Sequence, residues 1–591
     1  MSALQPGQGQ EAGAQVLKKM SAVPRSMAVE LALLFLKELE PQVSQDPERL
    51  VSTEAVLSFA AVKSADTPTW QRWRGILEKY DKLDLIEHML GEPVPMDTGT
   101  RLSAADRLIG LVFESPIELF HDPDQHGWAS IRVDGHWENH PIRSRPFQLF
   151  LLRTYYRETG CSPGAQAIHA TQELLEAKAL FDGPEALVHL RVASHNGKLY
   201  LDLCDRAWRA VEIDTEGWRV AERPPARFHR TRGSQPLPAP ERGGSLDELR
   251  RFLNVDQQGW TLIRAFLVAA LRPGVPCPIL IAKGEQGAGK TTACRVISAL
   301  VDPRIGSLRG VPREVRDLIA AARNSWLVCF DNLSRLPDEL ADAACRLATG
   351  GGFGGRQLYS DHDQALFDAT RPLVFNAIPD LGAARPDFLD RAVIVEFLDI
   401  PVEMRRDEAQ FWREFEELRP RILGALLDVV VGGLQNLSHV RLDQLPRMAD
   451  FAIWVSACES ALRLEAGEAL ESYRVNRAQA HSLFLEASPV CEPLLEVARA
   501  GFSGTASELL LLLSKLASDT SQRSRRWPKA PNALSNVLRR MAGTLRSTGI
   551  EIHFNREDHQ GRRTISVKSA SLVPQRSSAS SAPLERQDLA E

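Results

Sequence analysis

No stretch of 18 consecutive apolar residues, the length an α-helix needs to cross a bilayer, occurs anywhere in the chain. The opening residues, Met1-Ser2-Ala3-Leu4-Gln5-Pro6-Gly7-Gln8, also lack the basic-then-apolar pattern of an export signal. Neither membrane insertion nor export is expected. The eight cysteines, at 161, 204, 277, 294, 329, 345, 458 and 491, include no C-x-x-C pair, and no Cys/His cluster has zinc-ligand spacing. A reduced cytoplasmic setting without a structural metal follows. Neither sign of charge dominates, since 71 Lys/Arg face 76 Asp/Glu for a net charge of -5, so any surface for nucleic acid must be local. With 591 residues, 44% hydrophobic and 25% charged, the composition is that of a soluble globular protein of three or four domains.

Against that ordinary background one stretch stands out. Gly284-Glu285-Gln286-Gly287-Ala288-Gly289-Lys290-Thr291 fits G-x-x-x-x-G-K-[ST] and closely follows the apolar run Pro278-Ile279-Leu280-Ile281. Such a loop needs glycines so that successive N–H groups can turn inward on a triphosphate, a Lys to reach the β/γ oxygens, and a hydroxyl for Mg²⁺. Thr291-Thr292-Ala293-Cys294-Arg295-Val296-Ile297 continues as a helix whose N-terminus would face the phosphates. Residues 284–292 are therefore the expected ATP-binding loop, with Lys290 on the phosphates and Thr291 on the metal.

Two further apolar runs end in groups suited to the same chemistry. Trp326-Leu327-Val328-Cys329-Phe330-Asp331-Asn332 places a carboxylate at the end of a buried strand, where Asp331 would hold Mg²⁺. Leu373-Val374-Phe375-Asn376 ends in an amide able to orient water or sense a γ-phosphate. Arg391, in Arg385-Pro386-Asp387-Phe388-Leu389-Asp390-Arg391, supplies a guanidinium suited to charge developing on that phosphate.

The order and spacing of these groups resemble the superfamily 3 helicase branch of the AAA+ ATPases, notably the primase-helicases of phages and poxviruses. The 284–291 loop, Phe330-Asp331-Asn332, Leu358-Tyr359-Ser360-Asp361, Arg371 to Asn376 and Arg385 to Arg391 look like the bacterial, mobile-element-associated members. The resemblance spans about 110–570 and is strongest over 275–400. It implies a ring, usually hexameric, with ATP between subunits and Arg391 acting in trans. It also implies a pore hairpin gripping single-stranded DNA, here Thr349 to Tyr359 followed by Ser360-Asp361-His362-Asp363 and Ala365-Leu366-Phe367, where alternation and turn residues fit two strands. Arg356 and His362 are its candidate DNA contacts. Related helicases carry a Lys near the tip, whereas His362 sits between two aspartates that would repel phosphate. A second departure is Asn332, which stands where many AAA+ enzymes have a Glu that polarises the lytic water. An amide positions water but accepts no proton, and Asp338 or Glu339 could substitute. Leu445 to Val455 begins a helix resembling the lid of this group, with Arg447 as a possible second nucleotide sensor.

Toward the C-terminus the charge balance changes. Residues 521–568 hold eleven Lys/Arg against three Asp/Glu, a local net of +8 in an otherwise acidic chain. Helices over 489–500, 505–516 and 532–541, followed by Ile550-Glu551-Ile552-His553-Phe554 and Thr564-Ile565-Ser566-Val567 as paired strands, suggest a winged helix. Arg525, Arg526, Lys529, Arg539, Arg540, Arg562 and Arg563 are its expected DNA contacts, the alternative being a solvated basic face of a protein-interaction module.

The expected architecture is an α/β P-loop ATPase core (245–400) with a helical lid (401–485) and the winged-helix-like module (486–569). Ahead of the core come a helical region (23–105), an α+β accessory domain (106–230) and a Pro/Gly-rich linker (231–244), while 1–22 and 570–591 read as disordered tails. No acidic D-x-D pair on a strand occurs in the N-terminal region, so any priming would come from a separate primase. Two functions fit: an ATP- and Mg²⁺-dependent DNA helicase in replication of a phage, plasmid or integrated element, or a nucleotide-switched regulator that hydrolyses ATP weakly and does not translocate.

Overall fold

The computed structural model describes residues 25–65, 67–90, 103–333, 336–356, 364–367, 369–377, 386–555 and 563–569. Residues up to Arg107 and residues from Leu108 onward form two units. The first is helical: α1 (Arg25–Val43), α2 (Thr53–Ala65), α3 (Thr67–Lys79) and α4 (Leu83–Met89). Phe59, Trp70 and Trp73 centre its core, the Phe59 and Trp73 rings lying 5.4 Å apart. Helix α5 (Ala104–Glu114) runs across the boundary.

The second unit begins with an antiparallel sheet of β1 (Ile117–His121), β2 (Gly127–Val133) and β3 (His136–Pro141). Its β2–β3 turn is Asp134-Gly135, at φ 47° and 96°, the positive pair that lets a two-residue turn follow the twist of the strands. Helices α6 (Arg145–Thr159) and α7 (Ala165–Phe181) follow, then β4 (Val188–His189), β5 (Val192–His195), β6 (Lys198–Asp202), β7 (Ala210–Asp214), β8 (Gly217–Ala221) and β9 (Arg227–Phe228). Strands β5 to β8 form an antiparallel meander, and β4 pairs in parallel with β9. Alternation predicts one strand over 188–192, but the chain breaks into β4 and β5. Between them Arg191 turns inward to a buried ion pair with Asp302, which a regular strand edge would not permit. The 231–244 segment lies along the rest of the unit. Thr231 Oγ1 donates to Asn324 O at 2.6 Å, Gln235 N to Pro303 O at 2.9 Å and Glu241 N to Pro420 O at 3.0 Å.

The core comprises α8 (Asp247–Arg250), α9 (Gln257–Ala270), β10 (Ile279–Lys283), α10 (Lys290–Val301), β11 (Leu308–Gly310), α11 (Val315–Asn324), β12 (Val328–Leu333) and α12 (Asp338–Thr349). After these come β13 (Phe353–Arg356), β14 (Gln364–Phe367), β15 (Leu373–Ala377), α13 (Pro386–Leu389) and β16 (Ala392–Glu396). Five strands form a parallel sheet in the order β11-β12-β15-β10-β16. Successive side chains alternate between two apolar layers. Ile279, Ile281, Leu373, Phe375 and Ile394 face one, and Leu280, Ala282, Val374, Val393 and Val395 the other. Burial on both faces explains why these strands read as continuous apolar runs. Strands β13 and β14 pair antiparallel, from Phe353 opposite Phe367 to Arg356 opposite Gln364, as the hairpin reading expects.

Helices α14 (Glu408–Asn436), α15 (Ala449–Cys458) and α16 (Glu468–Glu486) pack mainly on the second layer, that of Leu280, Val374 and Val393, and α15 starts at Ala449, later than the expected Leu445. The C-terminal module consists of α17 (Cys491–Ala500), β17 (Phe502–Thr505), α18 (Ala506–Leu516), α19 (Asp519–Arg523), α20 (Pro531–Ser547), β18 (Ile550–Asn555) and β19 (Thr564–Ser569). Its sheet has the order β17-β19-β18. Strand β17, four residues with an internal Gly, carries too little alternation to be legible beforehand. Among the described residues no helix is long and apolar enough to cross a membrane.

Candidate nucleotide site

The carboxyl ends of parallel strands are where α/β sheets place their ligands. Here β10 runs into the 284–289 loop. At Gly284, φ is 147° and an added Cβ would lie 2.5 Å from Phe397 O, so only glycine lets the loop pass β16 this closely. Lys290 opens α10, and its Nζ donates to Gly284 O at 2.9 Å and Glu285 O at 2.6 Å, which holds the ammonium over the loop.

Strand order brings the remaining groups together. Strand β15 lies between β10 and β12, so Asn376 near its carboxyl end stands between Thr291 and Asp331. Asn376 Nδ2 donates to Thr291 Oγ1 at 2.9 Å and also to Asp331 Oδ1, while Thr291 Oγ1 donates to Asp331 Oδ1 at 3.5 Å. Asn376 is 5% exposed. Three residues from three separate runs of sequence thus form one hydroxyl–amide–carboxylate group beside Lys290. Such hard oxygen donors, close to a glycine-rich loop and the ammonium of Lys290, suit a divalent cation bound with a polyphosphate.

Asn332 is explained by the backbone. Register shifts from Phe330 opposite Phe375 to Leu333 opposite Ala377, so Asp331 and Asn332 together oppose Asn376 in a β-bulge. Asn332 takes φ 60°, a left-handed conformation that Asn enters more readily than other residues with a Cβ. The side chain is exposed and joins none of the bonds above. Asp338 and Glu339, the other carboxylates considered, are exposed in the first turn of α12 and make no bond to Thr291, Asp331 or Asn376.

Arg391 lies elsewhere. Its carbonyl accepts from Ile279 N at 2.8 Å, which puts it where β10 and β16 start, while the loop lies where β10 ends. At ~3.3 Å per residue a five-residue strand separates the two by roughly 16 Å. Within one chain, then, Arg391 does not reach its own Lys290. Nη1 donates to Asp387 O at 2.9 Å, and Nε is buried with no partner among the described residues. Arg447 is held at the same end. It pairs with Asp390 at 3.0 Å, and Arg477 at 3.0 Å and His481 at 2.8 Å share that carboxylate, so Arg447 does not face the loop of its own chain. Burial opposes ionisation of Asp390, but the bonds from His481 and Arg477 outweigh it and hold the carboxyl well below the usual range.

Folding adds what local sequence does not signal. A cavity of about 590 Å³ opens beside Gly287 to Gly289 and Thr292, lined by Phe252, Leu253, Ile400, Pro401, Met404 and Phe411. That volume and apolar lining suit a small-molecule site. Its walls come from 251–254 and 400–411, joined where Leu398 N donates to Asn254 O at 3.0 Å.

Of the expected DNA contacts, Arg525, Arg526, Lys529, Arg539, Arg540 and Arg563 are exposed. Helix α20 is two-faced: Leu534, Leu538, Met541 and Leu545 are buried in the module's core, while Asn532, Asn536, Arg539 and Arg546 recur at helical spacing on the exposed side. Arg356 ends β13, opposite Gln364, and His362 and Arg562 lie outside the described residues.

The core is of mixed α/β type, built on a five-stranded parallel sheet. Residues 246–480 match the family described as Actinomycete integrative conjugative element replication protein, and residues 487–581 match the AICE RepA C-terminal domain. The two segments make up more than half of the chain, which is therefore homologous to the AICE RepA replication proteins of mobile elements. No curated protein matches it. Among solved structures it is similar to SCCmec type IV Cch, described as an active helicase, at 10% identity and TM-score 0.40, covering 77% of this chain and 93% of that one. It is also similar to the apo C-terminal region of NrS-1, at 11% identity and TM-score 0.33, covering 78% of this chain and 98% of that one.

Proposed function

We propose that this chain is an ATP-dependent DNA helicase or translocase of superfamily 3 type that serves replication of an integrated mobile element in the cytoplasm. The observation that carries the reading is the convergence of Lys290, Thr291, Asp331 and Asn376 at one end of the parallel sheet beside an apolar cavity. In this reading Gly284 to Thr292 hold the phosphates of ATP, Thr291 and Asp331 hold Mg²⁺, and the cavity takes the nucleoside. Bound Mg²⁺ would supply charge neutralisation on the phosphates. Asn376, already fixed by Thr291 and Asp331, orients a water molecule, and Lys290 exchanges its two carbonyl partners for phosphate oxygens. Arg391, remote from its own loop, acts on the site of a neighbouring subunit, which calls for a homo-oligomeric ring. The order helix–strand–helix–helix–helix–strand–strand in 491–569 supports a winged helix, with the exposed face of α20 in a major groove and nearby arginines on phosphate.

Asn332 favours a second reading. With no carboxylate at that position and, among the described residues, no other bonded to the cluster, the chain could bind ATP as a switch, hydrolyse it slowly and not translocate. Steady-state ATP hydrolysis with and without single-stranded DNA separates the two. Stimulation by DNA that Lys290→Ala abolishes supports the motor, whereas ATP binding without DNA-stimulated turnover supports the switch.

A further inference from the structure

A second cavity, of about 230 Å³, lies between the β1–β3 sheet and the segment leading into β9, and the nucleotide site makes no use of it. Trp137 of β3 and Trp208 of the β6–β7 loop line it. Both residues are partly buried, and among the described residues neither indole N–H donates a hydrogen bond. Trp208 is at φ 56°, a left-handed conformation that a bulky residue rarely adopts and that calls for a reason. Its surroundings hold it there. Arg230, bonded to Asp202 at 2.6 and 3.0 Å, lays its guanidinium 4.1 Å from the Trp208 ring centre, and His140 meets that ring edge-on at 5.8 Å.

Trp137 has a looser cover. Arg223 lies 4.5 Å over its ring, yet that side chain is 61% exposed and among the described residues pairs only with Glu118, itself 42% exposed. Exposed pairs of this kind hold weakly, so Arg223 can move off the ring and close again. Ser130 and Asn139 also line the cavity. Ser130 Oγ donates to Asn139 Oδ1 at 2.6 Å, and Asn139 Nδ2 donates one of its two protons to Phe228 O at 3.3 Å, leaving the other for a ligand. Two arginines, 223 and 227, face two glutamates, 118 and 222, so the cavity carries no net charge to draw phosphate inside.

These features call for a flat, neutral ligand with hydrogen-bonding edges. The volume falls below the ~300–1,000 Å³ of sites that engulf a whole small molecule, which suits one planar group whose remainder stays outside. Paired bases are stacked within a duplex and present no free face. We infer that this cavity takes one unpaired base of a single-stranded nucleic acid, stacked on Trp137 beside Trp208, with the sugar-phosphate chain running outside. Stacking of this kind tolerates any base sequence. Capture needs no ATP, so it stands or falls independently of the motor reading.

The test uses the full chain without nucleotide and a single-stranded oligonucleotide of about 20 thymidines carrying one 5-iododeoxyuridine, crosslinked by near-ultraviolet light and mapped by mass spectrometry. The expected crosslink falls on Trp137 or Trp208. Base-on-aromatic stacking of this order predicts a loss of roughly 5-fold or more in Trp137→Ala and retention in Trp137→Phe. Annealing the complementary strand should remove the crosslink, and a competitor of equal length lacking bases should compete at least ~5-fold less well than the normal strand. Crosslinks only at other residues, equal crosslinking of duplex, or equal competition by the baseless strand would each overturn the inference. Those three readings use the unaltered protein, so a misfolded variant cannot obscure them.

Discussion

Arg191 Nε lies 2.9 Å from Asp302 Oδ1, and neither side chain is more than 2% exposed. The pair joins the strand-rich region to the end of α10, because Asp302 follows that helix directly. Each side-chain nitrogen and oxygen of the pair is bonded. Arg191 also donates to Asp202 O and Gln235 O, each at 3.1 Å, while Asp302 Oδ2 accepts from Trp326 N at 2.8 Å just ahead of β12. Removing one partner strands a buried charge, a change that costs on the order of 3–5 kcal/mol. Arg191→Ala should therefore lower the stability of the second unit by about that much in denaturant unfolding. A loss under ~1 kcal/mol would mean that water reaches the pair, since only a solvated pair is worth so little.

The left-handed backbone at Asn332 leads to a paired prediction. Asn332→Gly should be nearly neutral for stability, whereas Asn332→Glu should cost about 1–2 kcal/mol, because a glutamate gains nothing from φ 60°. No gain in turnover should accompany the glutamate, since this backbone was not shaped to aim it at water. Thermal unfolding and steady-state ATPase rates check both. A faster Asn332→Glu enzyme of unchanged stability would mean that the missing carboxylate alone limits hydrolysis.

Arg391 and Lys290 occupy opposite ends of the sheet, which makes complementation a direct test. Arg391→Ala and Lys290→Ala should each be inactive alone, the former by roughly 10³-fold or more if the guanidinium stabilises the transferring phosphate. Mixed, they should regain measurable ATPase activity, because an intact loop in one subunit then meets an intact arginine in its neighbour. Mixtures as inactive as the separate variants would remove Arg391 from a role between subunits.

Acid should weaken the accessory region through His189 and His229. Their backbones are joined, His229 N donating to His189 O at 2.7 Å, and burial lowers each pKa to about 4 from an ordinary 6.5. Both are thus neutral in the fold, and the unfolded chain takes up their protons first. Stability is undiminished above pH ~6.5 and falls as pH drops toward ~4, by at most roughly 3 kcal/mol for each residue. Thermal midpoints measured across that range should decline less steeply in His189→Gln/His229→Gln. Identical slopes would assign the acid sensitivity to other groups.

Legibility differed along the chain for physical reasons. The loop, its strand and its helix are contiguous, so periodicity and glycine spacing reveal them together. The Asp134-Gly135 turn and the β5–β8 meander were readable on the same grounds. Arg191 misled because a charged residue in an alternating run looks solvent-facing until its partner, 111 residues away, is known. Strand β17 and the apolar walls of the cavity beside Gly287 to Gly289 gave no local signal.

By itself the sequence determined where the glycine-rich loop falls between an apolar run and a helix, which runs are buried strands, and where the basic charge gathers, because each depends on near neighbours along the chain. The tertiary structure alone decided that Asn376 stands between Thr291 and Asp331, that Arg391 faces away from its own loop, and that Trp137 and Trp208 share a cavity. Strand order and register set those relationships, and both come from packing between residues far apart in the chain.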